Sequence, residues 1–200
     1  MIKIIIAEDQ NMVLGALSAL LNLEPDFEVV GLAKDGVEAL ALIEQQQPDI
    51  LLTDIEMPQM TGIELAQQLQ KNANKIRVIV LTTFARSGYL RRALDAGVRG
   101  YLLKDSPSDK LAAAIRDIYK GGRVIAPELI TDAWMETDPL TERERDVLRL
   151  AYEGMNSDAI AEQLHITTGT VRNYLSNAAS KLNASNRYDA ARIARQKGFL

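Results

Sequence analysis

The sequence predicts a doubly wound α/β domain followed by a smaller all-helical one. Three observations lead there. Five short apolar runs occur before residue 123, each followed by apolar residues at helical spacing. Five such βα units make a parallel sheet covered by helices on both faces, with right-handed crossovers. After Asp138-Pro139 the strand signal stops and only helical patterns remain.

The units follow one another without long gaps. Ile2 to Ala7 is β-rich and ends at Glu8-Asp9, after which Met12, Leu14, Leu17, Leu20 and Leu21 recur at helical spacing. The pattern repeats as Phe27–Ala33 with Val37–Ile43, Ile50–Thr53 with Ile63–Leu69, and Ile76–Leu81 with Tyr89–Ala96. A fifth strand, Tyr101–Leu103, precedes a helix over Ser108–Tyr119, which Gly121-Gly122 stops. The expected architecture is a five-stranded sheet of flavodoxin-like order 2-1-3-4-5. It gives a first domain over residues 1–122, and 123–138 reads as a linker. Pro127 starts a short helix there over Glu128 to Trp134, with Trp134 docked on a neighbouring surface.

Residues 139–200 read as four helices. Thr141-Glu142-Arg143-Glu144 is a capping box ahead of Val147, Leu148 and Ala151, and Gly154 ends that helix. Ser157 is expected to cap a second helix carrying Ile160, Ala161 and Leu164 inward. The turn HITTG leads to a third, in which Val171, Leu175, Ala178 and Leu182 form one apolar stripe. Its other side presents Thr170, Arg172, Asn173, Ser176, Asn177 and Lys181. A fourth helix, about Arg187 to Lys197, covers the core with Ala190, Ala191 and Ile193.

Composition excludes several classes. There is no cysteine, which removes disulfides, thiolate metal sites and thiol nucleophiles. With a single histidine, His165, a transition-metal site has no donor set, and a capping or surface role is expected for it. The apolar run of the N-terminus is too short for a secretory core or a membrane span, so a cytoplasmic protein with no membrane partner is expected. Net charge is -4, unevenly spread. Residues 1–138 hold 14 basic against 20 acidic side chains, and 139–200 hold 9 against 7. The acidic half hides a mildly basic one, compatible with nucleic acid.

Ligands of open parallel sheets bind outside the carboxyl ends of the strands. Glu8 and Asp9 stand there after the first strand, Asp54 after the third, Thr82 after the fourth and Lys104 after the fifth. Three carboxylates crowded in one cleft repel one another and invite a hard cation held through oxygen, which describes Mg²⁺. With their charge neutralised, Asp54 can act as a carboxylate nucleophile toward a phosphoryl group. Lys104 supplies a cation and Thr82 a hydroxyl for the phosphoryl oxygens.

These residues carry a resemblance. The acidic pair Glu8-Asp9, Asp54 followed by Met57-Pro58 and Gly62, then Thr82, and Lys104 within GYLLKDSP resemble the receiver domain of two-component response regulators. The resemblance implies phosphoryl transfer from a sensor histidine kinase to Asp54. It also implies Mg²⁺ held by Asp9, Asp54 and the backbone carbonyl of Glu56. Glu8 stands where many members carry Asp, and its longer arm would reach the metal through water. The implied switch is Thr82 moving toward the phosphate while Tyr101 turns inward.

Two other uses of the fold fit these residues less well. A flavodoxin-like domain needs a Ser/Thr/Gly-rich phosphate loop after the first strand, where AEDQNMVLG offers carboxylates. A phosphatase of the haloacid dehalogenase type shares the strand-end Asp and a second acid two residues later, here Glu56. Such enzymes normally place Asp there, and nothing in the second half reads as a substrate cap.

In the second half, two helices joined by a tight turn fit either a helix-turn-helix or a four-helix protein-binding domain. LTERERDVLRLAYEGMNSDAIAEQL followed by TTGTVRNYLSNAASKL resembles the LuxR-type helix-turn-helix of the NarL/FixJ response regulators. By position, Arg172, Asn173 and Ser176 would face bases, with Asn177 on the same exposed side, and Thr168, Thr170 and Lys181 would lie near phosphates. The expected protein is a transcription factor that is not an enzyme, forms a homodimer on phosphorylation and binds double-stranded promoter DNA. Ala16, Leu17, Leu111 and Ile115 are candidates for its dimer surface.

Overall fold

The computed structural model describes residues 1–83, 87–129 and 138–200. The chain divides into two compact units, largely 1–131 and 132–200.

In the first unit, strands β1 (Ile2–Ala7), β2 (Phe27–Ala33), β3 (Ile50–Thr53), β4 (Arg77–Thr82), β5 (Gly100–Leu103) and β6 (Val124–Ile125) form one parallel sheet of order 2-1-3-4-5-6. Helices α1 (Asn11–Leu21), α2 (Gly36–Gln46), α3 (Gly62–Lys71), α4 (Ser87–Asp95) and α5 (Ser108–Tyr119) connect the first five strands and follow the fifth. Every residue of β3 is buried, as a central strand covered on both faces requires. Ile4, Ile5, Leu51, Leu52, Ile79 and Val80 are fully buried in the core. Truncating one of them to Ala costs about 2–5 kcal/mol.

Local chemistry fixes the helix starts. Asp35 caps α2, its carboxylate accepting the Val37 and Glu38 amides at 2.8 and 2.9 Å. Thr61 and Glu64 form a reciprocal capping box on α3. Arg116 of α5 donates to Asp26 and Glu24 at 2.6–2.8 Å and lies over the Phe27 ring, tying α5 to the connection between α1 and β2.

Two expectations change. Val124 and Ile125, read as the start of a linker, form β6 beside β5, because the Gly121 turn (φ +100°) returns the chain to the sheet edge. On α1 only Leu14 and Leu21 are buried, whereas Met12 is 87% exposed and Leu20 45%. Every residue of that helix is uncharged, so its periodicity could not say which side faces the sheet. Residues 127–129 are helical, as expected from Pro127, and Trp134 lies outside the described residues.

The second unit is helical throughout its described part: α6 (Glu142–Tyr152), α7 (Ser157–Gln163), α8 (Thr168–Lys181) and α9 (Arg187–Gln196). Its core joins Val147, Leu148, Ile160, Val171, Leu175, Ala178, Ala190 and Ala194. The Thr141–Glu144 capping box is present as read. The cap of α7 is Asn156 rather than Ser157. The Asn156 side chain accepts the Asp158 and Ala159 amides, and Ser157 is the first helical residue. His165 sits just past α7 at φ +53°, exposed, in the left-handed turn that ends the helix.

Among the described residues no helix is long and apolar enough to cross a membrane.

Candidate functional site

Register brings the strand-end side chains together. Ala7 pairs with Thr53, so the next residues, Glu8 and Asp54, emerge side by side, and the Asp54 amide donates to the Ala7 carbonyl at 2.9 Å. On the other flank Thr82 pairs with Leu103, and the Lys104 amide donates to the Thr82 carbonyl at 2.9 Å. Carboxylate oxygens of Glu8, Asp9 and Asp54 lie within 4.8 Å of one another. Glu8 is 1% exposed and Asp54 8%, while Asp9 faces solvent.

Lys104 is the counter-charge. Its Nζ stands 2.6 Å from Glu8 Oε2 and 3.1 Å from Asp54 Oδ2. Burial pushes the Asp54 carboxyl up to about 6, Glu8 adds to that rise, and Lys104 opposes it. Burial also pulls against the charge of Lys104, but its bonds to Glu8 and Asp54 outweigh this and hold its pKa above the ordinary lysine value. The arrangement offers three hard oxygen donors, one of them open to water, and is therefore placed to hold a metal ion.

The loop after Asp54 is held from outside. Gln59, at φ +60°, donates through Nε2 to Asp35 Oδ2 at 2.7 Å, and the Met60 carbonyl accepts the Gly36 amide at 3.1 Å. Asp35 was not singled out from the sequence, because the pinning of this loop by its second oxygen joins residues 24 apart and leaves no local signal. Gly62 is required by close approach, since a Cβ there would fall on the carbonyl oxygen of Asp54. Glu56 is half-buried in the bend two residues past Asp54. Thr82 and Tyr101 are buried, at 4% and 1% exposure.

In the second unit, Thr167 caps α8 by accepting the Thr170 amide at 3.2 Å. Val171, Leu175 and Ala178 face the core, leaving Arg172, Asn173, Ser176 and Asn177 exposed along one side. The three residues expected near phosphates already have partners within the unit. Thr168 Oγ1 donates to Asp158 at 2.8 Å, and Thr170 Oγ1 is 2.9 Å from Thr167 Oγ1. Lys181 Nζ is 2.7 Å from Glu144 Oε2. Glu144 is 3% exposed and also accepts the Thr141 amide at 2.7 Å, so Lys181 neutralises a buried capping carboxylate.

The fold and both sites define a class: a phosphoacceptor-type α/β domain joined to a helix-turn-helix. Residues 4–116 match the response regulator receiver domain, and residues 138–194 match the bacterial regulatory proteins of the luxR family. The chain belongs to the response regulators that pair a receiver with a LuxR-type DNA-binding domain, and it is a DNA-binding transcription regulator. It is 52% identical to the transcriptional regulatory protein DesR of Bacillus subtilis, spanning 100% of this chain and 99% of that one. It is 50% identical to the transcriptional regulatory protein YvfU of the same organism, over the full length of both. A solved complex of the two-component response regulator RcsB with DNA matches at a TM-score of 0.65 and 25% identity, covering 97% of this chain and 98% of that one.

Proposed function

We propose that Asp54 accepts a phosphoryl group from a sensor histidine kinase and that this pairs two copies of the chain on promoter DNA. The observation that carries the proposal is Lys104 Nζ bridging Glu8 and Asp54 where three strands end. Asp54 Oδ attacks phosphorus, the phosphohistidine N–P bond breaks, and the imidazole leaves with the electron pair. Mg²⁺, bound by Asp9, Asp54 and the Glu56 carbonyl with Glu8 behind a water, would neutralise the carboxylates and the incoming oxygens. Lys104, already 3.1 Å from Asp54, moves one bond to a phosphoryl oxygen, and Thr82 donates its hydroxyl to another. Tyr101, buried at the middle of β5, takes part in the switch. Any turnover is confined to hydrolysis of the protein's own acyl phosphate.

The domains of this reading are a receiver over 1–122, a connecting segment over 123–138 and a reader over 139–200, with β6 carrying the receiver's sheet two residues into the connection. Arg172, Asn173, Ser176 and Asn177 reach base edges, and Lys181 keeps two N–H groups for a phosphate beside its bond to Glu144. Two half-sites are expected about 34–36 Å apart.

The dimer surface lies on α1 rather than at Leu111 and Ile115, which are buried at 7% and 0% exposure. Met12, Ala16, Ala19, Leu20 and Leu23 are all exposed at helical spacing, and Leu17 is half-buried. The test is incubation with acetyl phosphate and Mg²⁺, read by intact mass and by gel shift. Asp54→Ala should abolish both the added phosphoryl mass and the gain in DNA affinity. A variant that still responded to the phosphodonor would refute the mechanism.

A further inference from the structure

The amino-terminal ends of β4 and β5, the pole of the sheet away from Asp54, carry a cleft of about 380 Å³. Its floor is apolar, including Leu69, Val78 and Ile118, which are all buried. Its rim carries Lys75, Arg77 and Arg99, and among the described residues no carboxylate lines it. Acids outnumber bases 20 to 14 over residues 1–138, so three cations without an acid invert the local balance. Among the described residues none of the three lies within ion-pair distance of a carboxylate. Glu44 and Asp49 line the neighbouring groove across Lys75 and Arg77, and Asp49 Oδ2 already accepts the Lys3 amide at 2.9 Å.

The backbone under these cations is fixed. The Arg77 amide donates to the Asp49 carbonyl at 3.1 Å, and the Arg99 amide to the Val78 carbonyl at 2.9 Å. Lys75 sits in a turn closed by Asn74 Oδ1, which accepts the Ile76 amide at 3.0 Å. The Arg77 guanidinium carbon lies over the Tyr119 ring, 5.5 Å from its centre. A guanidinium is weakly hydrated and planar, and two of them beside an apolar floor match an anionic head on an apolar body.

We propose that this cleft binds a small organic anion, its phosphate or carboxylate group on Arg77 and Arg99 and its apolar part on the Leu69–Val78–Ile118 floor. The volume falls within the range of small-molecule sites. β4 runs six residues from Arg77 to Thr82, about 17 Å, so a ligand here does not reach Asp54. Binding is independent of phosphoryl acceptance and of DNA reading.

The test is titration of the full chain with phenylphosphonate, which transfers no phosphoryl group, followed by backbone amide NMR. Benzoate tests the carboxylate head, inorganic phosphate the head without a body, and benzyltrimethylammonium the body with reversed charge. The expected result is saturable shifts at Val78, Gly97 and Gly121 with phenylphosphonate or benzoate, weaker shifts with inorganic phosphate and none with the cation. Arg99→Gln is exposed and leaves the fold intact; it should weaken binding about tenfold, and Arg77→Gln similarly. The proposal fails if neither aromatic anion shifts those amides at millimolar concentration. It fails equally if the shifts persist unchanged in both variants, or if the cation produces the same shifts.

Discussion

At the scale of single residues, the carboxyl group of Asp54 is where the fold opposes itself. Its folded pKa of about 6 lies above the ordinary aspartate value of 3.8, so folding disfavours its ionised form. A carboxyl raised in this way helps stability most at low pH. The contribution shrinks as pH rises from about 4 through 6 and is constant above that. In metal-free buffer, Asp54→Asn should therefore raise stability at pH 7.5 by about 2–3 kcal/mol and leave it nearly unchanged below pH 4. Urea unfolding with EDTA at several pH values measures this, and a variant no more stable at neutral pH would contradict it. Gly62→Ala tests the neighbouring backbone. A methyl placed on the Asp54 carbonyl should cost about 1–3 kcal/mol and reduce acceptance of the phosphoryl group, read by thermal unfolding and intact mass.

At the scale of elements, what was legible depended on how local the signal was. The Thr141–Glu144 box, the Gly154 turn and the apolar stripe of α8 each span a few residues and could be read directly. The strand-end set was legible because a parallel sheet collects carboxyl ends by construction, which explains why Glu8, Asp54 and Lys104 meet. β6 escaped because two half-buried residues carry no period. The bond from Lys181 to Glu144 escaped because it joins residues 37 apart across two helices.

That bond makes its own prediction. Burial raises the carboxyl of Glu144, but its bonds to Lys181 and Thr141 more than offset this and lower its pKa overall. Its stabilisation is complete above about pH 4.3 and is lost as pH falls through the lowered folded value. Lys181→Met leaves a buried carboxylate without its cation. With a partner that is itself one-third exposed, the cost should be about 1–2 kcal/mol, seen in thermal unfolding and absent in the Glu144→Gln background.

At the scale of the whole molecule, phosphoryl acceptance in the proposed mechanism reaches DNA through pairing of copies. Replacing Met12 and Leu20 with Asp puts charge on an exposed, uncharged helix face and should leave folding intact. Phosphorylated protein carrying both changes should stay monomeric in sedimentation and bind a two-half-site duplex no better than one half-site. Arg172→Ala should cost about 1–3 kcal/mol of discrimination at one base step while leaving the salt dependence of binding nearly unchanged, measured by competition gel shift.

The ammonium group lodged between Glu8 and Asp54 has a practical corollary. Because the acidic notch carries its own cation within the chain, the domain is expected to hold its shape without any ion from solution. Stripping the protein with a chelator should silence signalling without melting it, and returning the ion should revive it at once, with no refolding delay.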